Sequence, residues 1–459
     1  MSERIKDMTQ GKPARLILSF ALPLMLGNIC QQFYTLVDTA VVGQFVGVEA
    51  LASLGAADWL NWLVLGVMTG FTQGCGILMA QRFGAGDHQG LRRSVAMSVG
   101  LSAVIAVAMT LLSQLACLPV LRLLNTPENI LGNAILYLRI MFGGIAVVTL
   151  YNLLAAILRA LGDSRTPLYA MLVASVVNIV LDLIFVVPFK WGVAGAAAAT
   201  VIAQACASLF CLRAVLRIRI LKMQREDFAP DRALAGRLVR LGAPLAFQNA
   251  IISVGGLVVQ YVINGFGFIM VAGFTATNKL YGILELAAIS YGYAVATFVG
   301  QNLGAGKIDR IRHGMRSGLV MALATSAVIG AAMLLVGRGV LSIFVSGEPD
   351  VVGQVLDVAY HYLSLMSVML PVLYLLHLYR SALQGMGDTV MPMLSGIAEL
   401  VMRIAAALAL PLLMGAEGIY YAEVLAWLGA AVLLAAAYYR RMRDPTDLMG
   451  RGMPAPPEG

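Results

Sequence analysis

Apolar runs of about twenty residues or more follow one another along the chain, broken by short clusters of Gly, Pro and charge. Each run is long enough to cross a bilayer, and together they predict twelve spans. Their expected limits are 14–40, 50–80, 93–117, 131–158, 166–188, 192–217, 237–262, 272–301, 314–337, 354–384, 389–412 and 416–439. The runs are continuous and do not alternate, which excludes a β-barrel. Several exceed the minimum length, so tilt or kinks are expected.

The pattern occurs twice. Ala21-Leu22-Pro23-Leu24 with Asn28 returns as Gly242-Ala243-Pro244-Leu245 with Asn249. Gln81-Arg82-Phe83-Gly84-Ala85-Gly86 returns as Gln301-Asn302-Leu303-Gly304-Ala305-Gly306, Gly162-Asp163 with Pro167 as Gly387-Asp388 with Pro392, and Gly192 with Gly195 as Gly415 with Gly418. Spurious matches would not keep one order and nearly one spacing. Six spans is an even number, so both halves start on the same side. The expected fold class is an all-α polytopic membrane protein: twelve transmembrane helices in two parallel six-helix lobes, with pseudo-two-fold symmetry along the membrane normal. A substrate site is expected between the lobes. The expected divisions are a tail at 1–13, an N-lobe at 14–217, a linker at 218–236, a C-lobe at 237–441 and a disordered tail at 442–459. The first apolar run lacks a small-residue cleavage site and reads as a retained helix.

Composition agrees, with 60% hydrophobic and 12% charged residues in 459. The net charge of +8 would suit nucleic acid, but its distribution argues for topology. All but six of the 32 Lys and Arg fall on one side if both termini are cytoplasmic. Arg122, Lys190 and Arg338 fall in outer loops, and Arg139, Lys279 and Arg403 inside spans. This asymmetry predicts a plasma-membrane protein with cytoplasmic termini and no nucleic-acid partner. A monomer is expected. The five cysteines lie in or beside apolar runs and read as free, buried thiols.

The Gly-Ala-Gly and Gly-Asp turns read as helix caps. They are not phosphate loops, because no strand precedes them and no Gly-Lys-Ser/Thr follows. Ionisable residues inside spans carry the stronger signal, since each costs about 2.5–3.5 kcal/mol to insert at a helix centre. Span 1 carries Asn28, Gln31, Thr35 and Asp38 on one face, span 5 carries Ser175, Asn178 and Asp182, and span 6 carries Thr200, Gln204 and Ser208. All three stripes reach the outer part of the membrane, with Asp38 near the outer end of its span. Two close carboxylates repel, so a proton or Na⁺ could be held between Asp38 and Asp182, with Asn178 and Thr200 as oxygen ligands. The competing reading is that these groups only join helices. Arg139, at similar depth in span 4, would then neutralise one acid.

In the second half, Glu399 and Arg403 are four apart and read as a self-neutralising pair. Glu285 shares a face with Asn278 and Tyr281, has only Lys279 as a nearby cation, and is the candidate for attracting a cationic substrate. Gln31, Tyr34, Asn152 and Gln204 complete the substrate-binding candidates. No nucleophile–base set or metal-ligand spacing is visible, so no enzyme activity and no cofactor beyond the coupling ion are expected.

Twelve spans in two halves, the Gln-x-x-Gly-Ala-Gly turns after spans 2 and 8, and Leu161-Gly162-Asp163-Ser164-Arg165-Thr166-Pro167 resemble the multidrug and toxic compound extrusion (MATE) family. The resemblance covers roughly residues 10–442, and the acids of spans 1 and 5 look like its DinF-like branch. It implies a secondary antiporter that exports organic cations and drugs in exchange for H⁺ or Na⁺ by rocker-switch alternating access. It carries the branch's ion site onto Asp38, Asn178, Asp182 and Thr200. Arg139 departs from the pattern. The alternative is a flippase for lipid-linked saccharides, which should show cationic residues facing its anionic cargo.

Overall fold

The computed structural model describes residues 5–345 and 349–443. Every long element among them is an α-helix. In chain order these are α1 (Pro13–Phe45), α2 (Val48–Gly84), α3 (His88–Leu123), α4 (Glu128–Gly143), α5 (Ile145–Ala160), α6 (Arg165–Val186), α7 (Gly192–Leu216), α8 (Arg232–Asn264), α9 (Phe268–Gly304), α10 (Ile308–Leu341), α11 (Pro349–Gly385), α12 (Val390–Met414) and α13 (Tyr421–Arg443). Among the described residues ten stretches are long and apolar enough to span a membrane, and α4 with α5 makes another, bent by 47°. The last stretch, Val390–Arg443, has 54 residues. A straight helix of that length would measure about 80 Å, more than twice a bilayer. It is two helices, interrupted at Gly415–Tyr420 by a 3-10 turn that Gly415 enters at φ 66°. With α4 and α5 as one broken span, the twelve expected spans are accounted for.

Span 4 breaks for a local reason. Gly144 lies between α4 and α5, and its N–H is shared between the carbonyls of Ile140 and Met141. A β-carbon on Gly144 would sit 2.7 Å from Val201 Cγ2 of α7. Only glycine allows the bend to pack this closely against α7.

The described residues form two compact units. One comprises 5–8 and 22–250, and the other 9–21, 251–345 and 349–443. Within the first unit, α2 and the early part of α8 meet backbone to backbone: a β-carbon on Gly70 would lie 2.5 Å from the Leu245 carbonyl oxygen, and one on Gly74 would strike the Gly242 main chain. Two small residues four apart allow this close approach of membrane helices. Two apolar clusters fill the unit. One gathers Phe71, Leu78, Leu91, Leu154, Leu158 and Leu238. The other gathers Val42, Leu60, Leu121, Leu138, Phe142 and Val193.

The repeated turns are caps. Gly86, Gly162, Gly306 and Gly387 all have positive φ. Asp163 Oδ1 accepts from the backbone N–H groups of Arg165 and Thr166, and Asp388 Oδ1 accepts from that of Met391. The segment ahead of the first span is tied to these turns. In the first unit the Lys6 carbonyl lies directly against the Gly162 Cα, and Met8 is fully buried. In the second, Lys307 Nζ donates to the Thr9 carbonyl at 2.9 Å and to its hydroxyl at 3.2 Å.

The linker is also ordered. Leu221 is buried with Ile218, Ile220 and Met223 against the first cluster. Asp227, buried in a turn at Arg225–Phe228, accepts from the Gln224 N–H at 2.8 Å and from Arg92 Nε at 2.9 Å. Burial pushes the Asp227 carboxyl up, but these donors outweigh it and hold it below the usual carboxylate range. The expected disordered tail lies, after Arg443, outside the described residues. Three cysteines are buried as expected, while Cys30 and Cys206 are only half-buried.

Candidate functional site

The acids of spans 1 and 5 fall in the first unit and are deeply placed. Asp38 is on α1, Asp182 on α6, and both are buried, Asp182 completely. Helix α1 runs to Phe45, five residues beyond the expected end of span 1. Asp38 is therefore two turns inside the helix, about 10 Å from its end, and not near the end as its span limits implied. Asp182 lies about 6 Å from the end of α6 and Thr200 about 12 Å from the start of α7. The two carboxylates are within electrostatic reach of each other.

Asn178 is fully buried one turn from Asp182, and its Nδ2 donates to Thr200 Oγ1 at 3.3 Å. The amide oxygen therefore faces away from that bond. Gln204 Nε2 donates to the Tyr34 hydroxyl at 3.4 Å, and Tyr34 senses the charge of both acids. Four oxygens of this cluster are buried with no hydrogen-bond partner among the described residues besides a fifth on Gln204: both of Asp182, Oδ1 of Asp38 and Oδ1 of Asn178. Buried polar atoms are normally satisfied, and charged ones more stringently. A cluster of unpartnered oxygens carrying two acids is suited to hold a proton or a small hard cation.

Arg139 does not neutralise these acids. It is exposed, and no carboxylate among the described residues pairs with it. The residue of α4 that meets the acids is Tyr137, buried and within reach of Asp38, Asp182 and Asp58. Asp58, exposed on α2, also acts on Asp38. Neither Tyr137 nor Asp58 was expected. An isolated acid inside the second apolar run was the available signal for Asp58; nothing in the sequence marked Tyr137. Other members of the stripes do join helices. Ser175 Oγ donates to the carbonyls of Met171 and, at 3.4 Å, Cys30. Ser208 Oγ donates to those of Gln204 and Val147. Thr35 is exposed and bonds back to the Gln31 carbonyl, with Gln31 half-buried beside Tyr34. Asn152 is half-buried on α5, and no hydrogen bond among the described residues brings it into the cluster.

The second unit answers differently. Glu399 and Arg403 do not pair with each other, contrary to their i, i+4 spacing. Glu399 pairs with Arg380 of α11, which also donates to Ser395 Oγ at 3.4 Å. Arg403 pairs with Glu423 of α13 at 2.6 Å, and Trp427 Nε1 donates to the same carboxylate at 3.2 Å. On one helix the two side chains satisfy partners on different neighbours, which the linear spacing does not reveal. Glu285 faces His377 Nε2 at 3.2 Å, and not Lys279, which is exposed. Tyr281, one turn away, stacks on Trp427 with centroids 5.6 Å apart. Asn278 is exposed.

The MatE family model matches residues 23–184 and 244–408, one match in each half of the repeat. The chain belongs to this family. A probable multidrug resistance protein of Bacillus subtilis (strain 168), YpnP, is 31% identical over 350 residues, 75% of this chain and 77% of its own. An FAD transporter of Shewanella oneidensis is 25% identical over 342 residues, 73% of this chain and 75% of its own. An outward-facing MATE transporter structure superposes with a TM-score of 0.89 at 23% identity, over 98% of this chain and 99% of its own. A MOP superfamily transporter from Pyrococcus furiosus gives 0.89 at 23% identity, over 95% and 97%. The fold is that of the MATE transporters, and this MATE protein is a multi-pass membrane transporter of small molecules, not an enzyme.

Proposed function

We propose that this MATE transporter exports organic cations in exchange for H⁺ or Na⁺ bound at Asp38, Asp182, Asn178 and Thr200. The observation that carries the reading is Asp182: a fully buried carboxylate with neither oxygen hydrogen-bonded and no cation paired with it among the described residues. Its neighbour Asp38 makes simultaneous ionisation unfavourable, so an entering cation is held where two acids share one site. The ion enters with both termini on the cytoplasmic side, as the Lys and Arg distribution favours. The halves then alternate access by a rocker switch, and the ion drives export only if it binds the two states unequally.

Cationic cargo is favoured by the charges of the second unit. Arg380 and Arg403 are each taken up by a glutamate, which leaves Glu285 with His377 and no arginine or lysine paired with it among the described residues. A lipid-phosphate flippase would need the opposite surplus.

The test is efflux of a fluorescent organic cation from proteoliposomes under an imposed pH or Na⁺ gradient. Asp38→Asn and Asp182→Asn should each abolish the gradient-driven part. Full efflux in both variants would overturn the ion site. Failure of the wild-type protein to move any organic cation, with scrambling of labelled lipid, would overturn the cargo. The gradient that drives the wild type identifies the ion.

A further inference from the structure

Arg139 is a charge with no carboxylate partner among the described residues. Helix α4 exposes Gly132, Leu136, Arg139 and Gly143, a spacing of four, three and four that forms one continuous face. Tyr137 points about 200° away from Arg139 on the same helix and meets the acid cluster. Arg139 therefore faces away from that cluster and towards α3. Gln114 of α3 donates to the Arg139 carbonyl at 2.8 Å, and Cys117 of α3 lies within reach of its charge. The exposed residues of α3 around Gln114 are Val107, Leu111, Leu112 and Leu115, the last 76% exposed. An apolar surface of this kind in a membrane transporter faces acyl chains.

An arginine here stands about 16 Å along α4 from Glu128, inside the hydrocarbon by helix length. Side chains on a helix lean towards its N-terminus, which carries the guanidinium back towards the headgroups on the α3–α4 side. The flanking glycines keep the face open: a β-carbon on Gly132 or Gly143 would meet nothing within 4 Å. A positive, five-donor group on an open apolar groove matches a phosphodiester with acyl chains below it.

We infer that Arg139 is the headgroup contact of an anionic phospholipid bound in the groove between α3 and α4, in the leaflet on the side of the α3–α4 turn. The guanidinium donates to the lipid phosphate, and the chains lie along the leucines of α3 and past Gly143. An anionic headgroup is preferred over a zwitterionic one because no carboxylate among the described residues balances Arg139, and a zwitterion would bring its own ammonium.

Native mass spectrometry of the full chain, released from nanodiscs of phosphatidylcholine with one-fifth phosphatidylglycerol, tests this directly. Wild type should retain one phosphatidylglycerol that Arg139→Leu loses, with the lipid bound about tenfold more weakly in the variant. Arg139→Lys keeps the charge without the planar fork and should retain an intermediate fraction. Thermal unfolding in lipid-free detergent should be the same for wild type and Arg139→Leu, because no ion pair of the guanidinium with a described residue is lost. Equal retention of phosphatidylglycerol by wild type and Arg139→Leu would overturn the site. Equal retention of phosphatidylcholine and phosphatidylglycerol by wild type would overturn the preference for anionic lipid. Neither readout depends on transport.

Discussion

The two units of this transporter come from one repeated pattern, yet they treat buried charge in opposite ways. In the first, Asp38 and Asp182 share a buried cluster in which, among the described residues, no cation pairs with either and four oxygens besides that of Gln204 lack a hydrogen bond. In the second, Glu399 and Glu423 are each matched by an arginine from another helix, although Nε of Arg380 and of Arg403 has no hydrogen-bond partner among the described residues. A permanent counter-ion fixes a carboxylate in one state; a missing one leaves the site to whatever arrives from water. The same scaffold therefore supplies a static framework on one side and an exchangeable site on the other.

The sharpest way to break this contrast is to neutralise one acid of each kind. Asp182→Asn should eliminate gradient-driven efflux while leaving thermal stability undiminished, because the amide removes an unpaired charge. Arg380→Met should do the reverse of the stability result. It strands Glu399, and a chemical-denaturation or thermal scan should show a loss of about 3–5 kcal/mol. Adding Glu399→Leu to Arg380→Met should recover most of that loss; failure to recover would mean the pair does more than balance charge.

A smaller effect separates Glu285 from its paired neighbours. Among the described residues its carboxylate meets His377 and no arginine or lysine pairs with it, so Glu285→Gln should weaken binding of an organic cation by about tenfold, measured by equilibrium binding in detergent. If affinity were unchanged, the second unit would hold no substrate charge.

The smallest lies outside the membrane. Asp227 is held below its ordinary range by Gln224 N–H and Arg92, against the push of burial. A folded-state value lower than the unfolded one stabilises the protein above the unfolded pKa, near 3.9. That contribution disappears as pH falls through the folded value. Wild type should therefore unfold at higher temperature than Asp227→Asn at pH 6–7, and the gap should close below about pH 4. A gap that stayed constant across this range would remove the ion pair as its cause.

Much of this was legible in the sequence because it depends on local pattern. Span number followed from run length, and the turn caps from Gly162-Asp163 and Gly387-Asp388. The three polar stripes of spans 1, 5 and 6 were readable because helical periodicity fixes which residues share a face. What escaped depends on neighbours supplied by other helices. Glu399 and Arg403 have ideal spacing for each other, but α11 and α13 offer better-placed partners. Tyr137 carries no mark of its own in an apolar run. Arg139 was read as facing the acids because depth is countable along a helix, whereas rotation relative to a neighbouring helix is not. The backbone contact of Gly70 and Gly74 with α8 likewise joins residues more than 160 positions apart.

The seating of the first residues has a practical consequence for handling the protein. The Lys6 main chain sits against Gly162, Met8 is fully buried, and Lys307 grips Thr9. These positions look dispensable in a linear drawing, ahead of the first apolar run. Affinity tags are best fused ahead of residue 5, where they leave this seating intact. Shortening the chain to begin at residue 10 should lower yield and thermal stability, because it uncovers the Gly162 turn and frees the Lys307 ammonium together.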